Sequence, residues 1–271
     1  MTSFKDLEQT GWTRGAAAYD DWFAPVTRQA IGPILDALGD GLPGRTFLDI
    51  CSGTGHLAKA AAMRGALARG VDFAPTMVAA AQRSFPDIAF SEGDAERLAF
   101  ADASFDAVTM SFGLLHLSDP EAGLREVFRV LRPAGRFAFT VWLPPDQGFD
   151  LMRIVGPAIR EHGSRDVSLP PAPSPFRFAD LGEAERALTA AGFAGIASRR
   201  HDCLWTGTQG SDLLAMIDRA FVRTPMLIDA QTPEAQQRIK QAIVEKAETY
   251  RRGDRIELRF PCLVITAAKP G

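Results

Sequence analysis

The stretch LDICSGTGHLA, residues 48–58, places two glycines directly after a short apolar run and before an alanine-rich segment. A strand, a glycine-rich loop and a helix in this order, over residues 45–64, form the repeating unit of open α/β folds. The loop presents free backbone N–H groups and a positive helix end at the carboxyl edge of the sheet, where such folds bind ligands. The stretch therefore predicts an α/β fold with a ligand site at residues 51–56.

The spacing around these glycines leaves two cofactor classes open. Gly53-x-Gly55-x-x-Ala58 satisfies a loose dinucleotide fingerprint, which allows a nicotinamide-dependent oxidoreductase. Asp49, four residues before Gly53, disfavours a pyrophosphate and favours an ammonium or sulfonium group, because a carboxylate repels the first and attracts the others. Asp72, 17 residues after Gly55, is placed to accept hydrogen bonds from ribose hydroxyls in either class.

Strands and helices alternate through the first half of the chain. Apolar runs predict strands over residues 45–50, 66–72, 88–94, 105–113, 135–142 and 193–202. Helices are predicted between them, one of them opened by Ser118 and Glu121, which are spaced as a capping box. Alternation with short connections predicts a parallel sheet that is covered by helices on both faces.

Three segments exceed this minimal pattern: residues 1–44, 143–178 and 205–253. The first is predicted to be helical, the second contains the proline-rich LPPAPSPF, and the third carries two predicted helices, at 211–222 and 233–252. Each is a candidate lid over the carboxyl edge of the sheet. Beyond them, Pro261 separates IELRF from CLVITAA, and a proline there predicts a bulge or an edge rather than one continuous central strand.

Composition narrows the class of protein. The 271 residues are 46% hydrophobic and 23% charged with a formal net charge of −3, so no basic surface is expected for nucleic-acid phosphates or an anionic membrane. The three cysteines, Cys51, Cys203 and Cys262, form no CxxC pair, which indicates neither a metal site nor a disulfide framework. With no 18-residue apolar run and no apolar leader, a cytoplasmic protein is expected.

The motifs at residues 48–58, GVDFAPTMVAAAQ at 70–82 and the continuous block from EGDAERL to FAFTVW at 92–142 together resemble the class I S-adenosylmethionine-dependent methyltransferases. The branch that includes ubiquinone- and menaquinone-biosynthesis methyltransferases is the most similar. The resemblance covers residues 45–142, and residues 180–202 and 255–268 in arrangement. It implies a Rossmann-like, seven-stranded, mostly parallel sheet with the last strand antiparallel. A methyltransferase domain over 45–271 would then follow a helical lid over 1–44, with inserted helices at 143–178 and 205–253.

The resemblance also implies S-adenosyl-L-methionine as cofactor. The positions that it implies for cofactor binding are Tyr19, Asp49, Cys51, Ser52, Gly53, Gly55, Asp72, Phe73, Met77, Asp94, Ala95, Ser111 and Phe112. The glycine loop would surround the methionine part, Asp72 the ribose and Asp94 the adenine. Ser111 and Phe112 would face the transferring methyl group, and Tyr19 would close over the cofactor.

Methyl transfer needs a general base only when the acceptor must lose a proton. No sequence motif therefore identifies the methyl acceptor. His116, just beyond the fourth strand, is the predicted catalytic base or acceptor-orienting residue; a structural histidine bonded to the loop backbone is the alternative. His56 could contact cofactor or substrate. Large apolar residues in the three extra segments favour a small aromatic or lipophilic acceptor. A non-catalytic cofactor-binding partner protein and a homodimer formed through the extra helices stay open.

Overall fold

The computed structural model describes residues 3–164, 166–167 and 169–271, so residues 1, 2, 165 and 168 of the predicted lid segments lie outside the described residues. The helices are α1 (Phe4–Trp22), α2 (Ala24–Thr27), α3 (Ile31–Ala37), α4 (His56–Met63), α5 (Pro75–Ser84), α6 (Pro120–Val130), α7 (Asp150–His162), α8 (Leu181–Ala190), α9 (Gly210–Ala220), α10 (Arg223–Asp229) and α11 (Pro233–Glu248). The strands are β1 (Thr46–Ile50), β2 (Leu67–Asp72), β3 (Ala89–Glu92), β4 (Phe105–Ser111), β5 (Leu131–Trp142), β6 (Ala194–Gly207), β7 (Arg251–Arg252) and β8 (Arg255–Ala268).

The sheet confirms the predicted α/β architecture. Its strand order is β3-β2-β1-β4-β5-β8-β6, with β1 to β5 parallel and β8 antiparallel to both of its neighbours. The central strand β1 is buried on both faces, since Phe47 packs on one side and Leu48 and Ile50 on the other. Within the described chain an eighth strand, the two-residue β7, pairs with β8 in addition to the seven expected strands.

The start of α6 corrects one prediction. The N-cap is Asp119, whose carboxylate accepts from the Ala122 N–H at 2.9 Å, and not Ser118. Pro120 explains the choice, because its fixed φ suits the first helical position and leaves the preceding residue as cap. The predicted capping box of Ser118 and Glu121 is therefore wrong, although Leu124 and Val127 are buried as the helical spacing predicts.

The prediction that Pro261 marks a bulge or an edge is wrong for β8 as a whole, because the strand is continuous. It holds on the side of β8 that faces β5. β8 runs unbroken from Arg255 to Ala268 and pairs with β6 along nearly its whole length. Its pairing with β5 stops at Cys262, opposite Trp142, and the Pro261 carbonyl accepts from the Leu143 N–H at 2.9 Å. In an antiparallel strand the N–H and C=O of one residue point to the same side. The missing N–H of Pro261 would therefore point toward β5, at a position beyond Trp142 where β5 has already ended.

The halves of β6 and β8 beyond that point support a second core. Inward residues of this region, such as Trp205 and Phe260, pack with α7, α9 and α11. The insertion at 205–253 differs from the prediction, because β6 extends to Gly207, α10 is a third helix, and α11 ends at Glu248. Gly253, which directly follows the predicted helix 233–252, lies in the turn between β7 and β8 with a positive φ of 62°. In the described ranges, no helix is long and apolar enough to cross a membrane.

Candidate active site

The glycine loop follows β1 at the carboxyl edge of the sheet. Cys51, Gly53 and Gly55 all have positive φ, of 55°, 52° and 89°, which turns the chain sharply into α4. At Gly55 a Cβ would lie 2.6 Å from Cζ of Phe90, so glycine is needed there for close approach as well as for conformation. Burial raises the pKa of the Cys51 thiol well above its usual range, and the nearby Asp72 and Asp49 add to the shift, so this thiol stays neutral.

Asp72 ends β2 and is tied to the glycine loop. Its Oδ2 accepts from the Gly53 N–H at 2.8 Å and its Oδ1 accepts from the Ala74 N–H at 2.9 Å. The residue is 6% exposed, and burial raises the pKa of its carboxyl although these backbone donors and the nearby His116 oppose the rise. Two carboxylate oxygens offer about four acceptor sites, so Asp72 keeps capacity for a ligand's hydroxyls.

Asp49 lies deeper, 1% exposed, beneath the loop. Its Oδ1 accepts from Thr109 Oγ1 at 2.9 Å. Burial raises the pKa of this carboxyl to about 7, and the charge of Asp72 contributes to the rise against the hydrogen bonds from Thr109 and the Ala58 backbone. Asp49 also lines a cavity with Ser52 and Gly53.

Asp49→Asn is expected to change how stability depends on pH. The folded-state pKa lies above the unfolded value of about 3.9, so Asp49 contributes stability that is full below pH 4 and is lost as pH rises toward 7, by about 1.4 kcal/mol per unit. Asparagine removes this loss. Urea unfolding at pH 5 and pH 7.5 should therefore show the variant gaining free energy of unfolding relative to wild type at the higher pH.

Asp106→Asn is the matched control for this prediction. Burial raises the pKa of Asp106, but hydrogen bonds from Thr46 and Arg132 outweigh it and lower the pKa overall. The contribution of Asp106 to the free energy of unfolding is therefore constant above its unfolded pKa and is lost only in acid. The difference in free energy of unfolding between Asp106→Asn and wild type should thus be the same at pH 5 and pH 7.5. If the difference in free energy of unfolding between Asp49→Asn and wild type were also the same at both pH values, the raised pKa of Asp49 would be contradicted.

Three adjoining cavities of about 370, 570 and 420 Å³ run along this edge of the sheet and share Cys51 in their linings. We call them together the edge groove. Every position predicted to bind the cofactor, except Gly55, lines the edge groove. Gly55 lies behind it against Phe90, so its role is to let the loop pack.

Helix α1 lies along the edge groove and is fastened at both of its ends. Near its start, Lys5 Nζ lies 2.6 Å from Asp94 Oδ2 and 3.0 Å from Glu96 Oε2, and Gln9 Nε2 donates to the Phe73 carbonyl at 2.9 Å. Asp94 is predicted to contact the adenine; in the structure its Oδ2 is paired with Lys5, a residue that sequence reasoning did not single out.

The far end of α1 is held by Asp20, which sequence reasoning also missed. Its Oδ1 accepts from Thr54 Oγ1 at 2.6 Å and lies 3.0 Å from His56 Nε2. Partial burial would raise the pKa of Asp20, but the hydrogen bonds from His56 and Thr54 outweigh it and lower that pKa. His56 also lines the edge groove, and its contact with Asp20 fastens α1 to the residue that directly follows the glycine loop.

Tyr19 forms part of the wall that α1 contributes. Its hydroxyl is 2.8 Å from Thr27 Oγ1, and burial raises its pKa to about 12, so the phenol is protonated at neutral pH. Met77, 2% exposed, packs among the aromatic rings of Trp12, Tyr19 and Phe73. These residues form the apolar side of the edge groove.

A second space of about 930 Å³, larger than any one of these three cavities, adjoins the edge groove, and we call it the apolar cavity. Its aromatic lining is Phe4, Trp12, Phe23, Trp142, Phe149, Phe176 and Phe221. Trp12, Phe23, Trp142 and His116 line both spaces, so the two meet there. Phe112, with a positive φ of 54°, stacks on Trp142 with ring centroids 3.7 Å apart. Its backbone N–H donates to Thr140 Oγ1, which also lies 3.1 Å from Ser111 Oγ.

His116 does not bond to the loop backbone through its ring, which was the alternative to a catalytic role. Its Nδ1 lies 2.8 Å from Oε2 of Glu8, a carboxylate that is 1% exposed and that sequence reasoning missed. Glu8 lies on α1, and no feature of the sequence marks it as a partner of His116. Within the described ranges no group of three or more His, Cys, Asp or Glu side chains is arranged to hold a metal ion.

The strand order, the antiparallel β8 and the glycine-loop site at the carboxyl edge define a Rossmann-like fold of the methyltransferase type. The solved structures that it resembles include the YcgJ protein of Bacillus subtilis (TM-score 0.56, 22% identity, 90% of this chain and 99% of that one). They also include phosphoethanolamine N-methyltransferase 2 of Haemonchus contortus (TM-score 0.61, 19% identity, 100% and 61%), which was solved with S-adenosylhomocysteine.

Residues 48–139 match the family model described as a methyltransferase domain. A demethylmenaquinone methyltransferase of Beutenbergia cavernae is 46% identical over 130 residues, which are 45% of this chain and 54% of that protein. The chain thus spans about half the length of the curated relatives it matches. Residues 48–139 thus carry a methyltransferase domain, which resembles the class I S-adenosylmethionine-dependent domains of quinone-biosynthesis enzymes.

Proposed function

We propose that the protein transfers the methyl group of S-adenosyl-L-methionine to a small aromatic or lipophilic acceptor. One observation carries the proposal: the edge groove, which has Asp49, Asp72 and Asp94 in its lining, and the aromatic-lined apolar cavity are separate spaces that meet at His116 and Trp142. A displacement at a sulfonium carbon needs two reactants held in line, and catalysis of this kind is mostly orientation and exclusion of water. Two compartments that share one wall supply that arrangement.

The cofactor is proposed to lie along the edge groove. Asp72 would accept from the ribose hydroxyls with the acceptor sites that Gly53 and Ala74 leave free. The adenine would lie toward Ala95, and the methionine part toward Ser52 and its loop. Phe112 and Ser111 would then flank the sulfonium, close to the opening of the apolar cavity.

The acceptor is proposed to occupy the apolar cavity, whose aromatic lining suits a flat apolar compound. The net charge of −3 disfavours a nucleic-acid acceptor. In this proposal residues 1–44 act as the lid, since α1 lies along the edge groove. Residues 45–271 form the methyltransferase domain, and the insertions at 143–178 and 205–253 supply much of the cavity wall.

Calorimetric titration with S-adenosylhomocysteine, with NAD in a parallel cell, tests the cofactor. Micromolar binding of the first ligand and none of the second is expected. Transfer of label from methyl-labelled S-adenosylmethionine to a panel of small aromatic acceptors then tests the activity. Binding of NAD alone would favour an oxidoreductase, and cofactor binding without label transfer to any acceptor would favour a non-catalytic protein.

A further inference from the structure

The two ring nitrogens of His116 have different surroundings. Nδ1 is held by Glu8 Oε2 at 2.8 Å, whereas Nε2 makes no hydrogen bond to any residue that the structure describes. The Trp12 ring stands edge-on to the imidazole, with centroids 5.0 Å apart and planes at 85°. The ring is thus fixed in one orientation, with one nitrogen occupied and the other available.

Glu8 determines which nitrogen carries the proton. Its carboxylate is almost fully buried, and Trp12 Nε1 donates to the same Oε2 at 3.2 Å. A buried carboxylate requires donors, so the favoured imidazole tautomer has its proton on Nδ1, directed at Glu8. That tautomer leaves the lone pair on Nε2, which is the atom that a general base uses.

The position of the imidazole suits a base rather than a structural residue. His116 lines both the edge groove and the apolar cavity, so an acceptor atom that approaches the cofactor from the cavity passes beside it. Neutral amines are nucleophilic without a base, whereas an aromatic hydroxyl, with a pKa of about 10, is mostly protonated at neutral pH. A prepared base at this junction therefore points to a hydroxyl acceptor.

We infer that Glu8 is a positioning residue that makes His116 the general base, and that the acceptor is an aromatic hydroxyl compound methylated on oxygen. This inference rests on the proposed function. His116 Nε2 takes the hydroxyl proton, and the oxygen's electron pair forms the new bond to the methyl carbon. The carbon–sulfur bond breaks with its electrons to sulfur, which leaves S-adenosylhomocysteine, and the imidazolium releases its proton to solvent.

The test uses His116→Ala and Glu8→Gln with labelled S-adenosylmethionine and phenols of graded acidity. For a weakly acidic phenol we expect kcat to fall about 100-fold in His116→Ala and about tenfold in Glu8→Gln. For a phenol already ionised at the assay pH, both deficits should shrink to less than about threefold, because there is no proton to remove. Imidazole in the buffer should partly restore His116→Ala with the weakly acidic phenols.

The matched control is Asp21→Asn, an acid-to-amide change at an exposed position of the same helix, which should leave kcat unchanged. S-adenosylhomocysteine titration of each variant checks that the fold is intact. Equal deficits across the phenol series, or a product methylated on nitrogen or carbon, would overturn the inference while leaving methyl transfer in place. Failure of the wild-type chain to bind S-adenosylhomocysteine would instead overturn the proposed function.

Discussion

Gly55→Ala is expected to lower the free energy of unfolding by about 3 kcal/mol. Two costs add. An L-residue in the left-handed region costs about 1–2 kcal/mol, and the φ of Gly55 is 89°. The new Cβ would also lie 2.6 Å from Cζ and 2.9 Å from Cε1 of Phe90, in a packed cluster with little room to yield, and such overpacking costs about 1–3 kcal/mol.

Gly53→Ala is the matched control for this substitution. The φ of Gly53, 52°, is also positive, but a Cβ there would have no neighbour within 4 Å. Gly53→Ala should therefore lower the free energy of unfolding by the backbone cost alone. Urea unfolding of both variants separates the two terms. Phe90→Leu in the Gly55→Ala background should recover part of the difference. Equal losses in the two glycine variants would show that the contact with Phe90 does not matter.

Asp72→Ala is expected to weaken S-adenosylhomocysteine binding about 5- to 150-fold, which corresponds to about 1–3 kcal/mol of lost charged hydrogen bonds. The substitution removes the proposed partner of the ribose, and it also releases the Gly53 and Ala74 N–H groups that hold the loop in shape. Both effects act on the edge groove, so the affinity should fall even though the sheet is unchanged.

Calorimetry measures this change directly. Asp87→Ala is the control, because Asp87 is an exposed carboxylate that pairs with Lys59 away from the groove and should not affect binding. If Asp72→Ala bound S-adenosylhomocysteine as tightly as wild type, the ribose would have to lie elsewhere in the groove.

The parts of the fold that were predictable are those governed by near neighbours in the chain. The strand–loop–helix unit at residues 45–64 is specified by an apolar run, two glycines and an alanine-rich segment, and the structure agrees to within about a residue at each end. Where two local rules competed, at Ser118 and Pro120, the proline's fixed geometry prevailed over the capping-box spacing.

The parts that were not predictable depend on residues that meet only in the fold. Glu8 and His116 are 108 positions apart, and Lys5 and Asp94 are 89 positions apart. Neither pair leaves a periodic trace, because a side-chain contact between distant elements is determined by how those elements dock. The edge groove could thus be anticipated from the motifs, whereas the way α1 docks along it and supplies Glu8 could not.

The two long strands β6 and β8 have a consequence for how acceptor preference can change. Each is one continuous strand, with one half in the main sheet and the other half packed in the second core. The insertion at 205–253 is therefore joined to the main sheet through β6 and β8, whose residues do not line the edge groove. On the proposed function, we expect a chimera that takes residues 205–253 from a relative to change its acceptor preference in methyl-transfer assays and to keep its affinity for S-adenosylhomocysteine, because this insertion contributes Phe221 and its neighbours to the apolar cavity only.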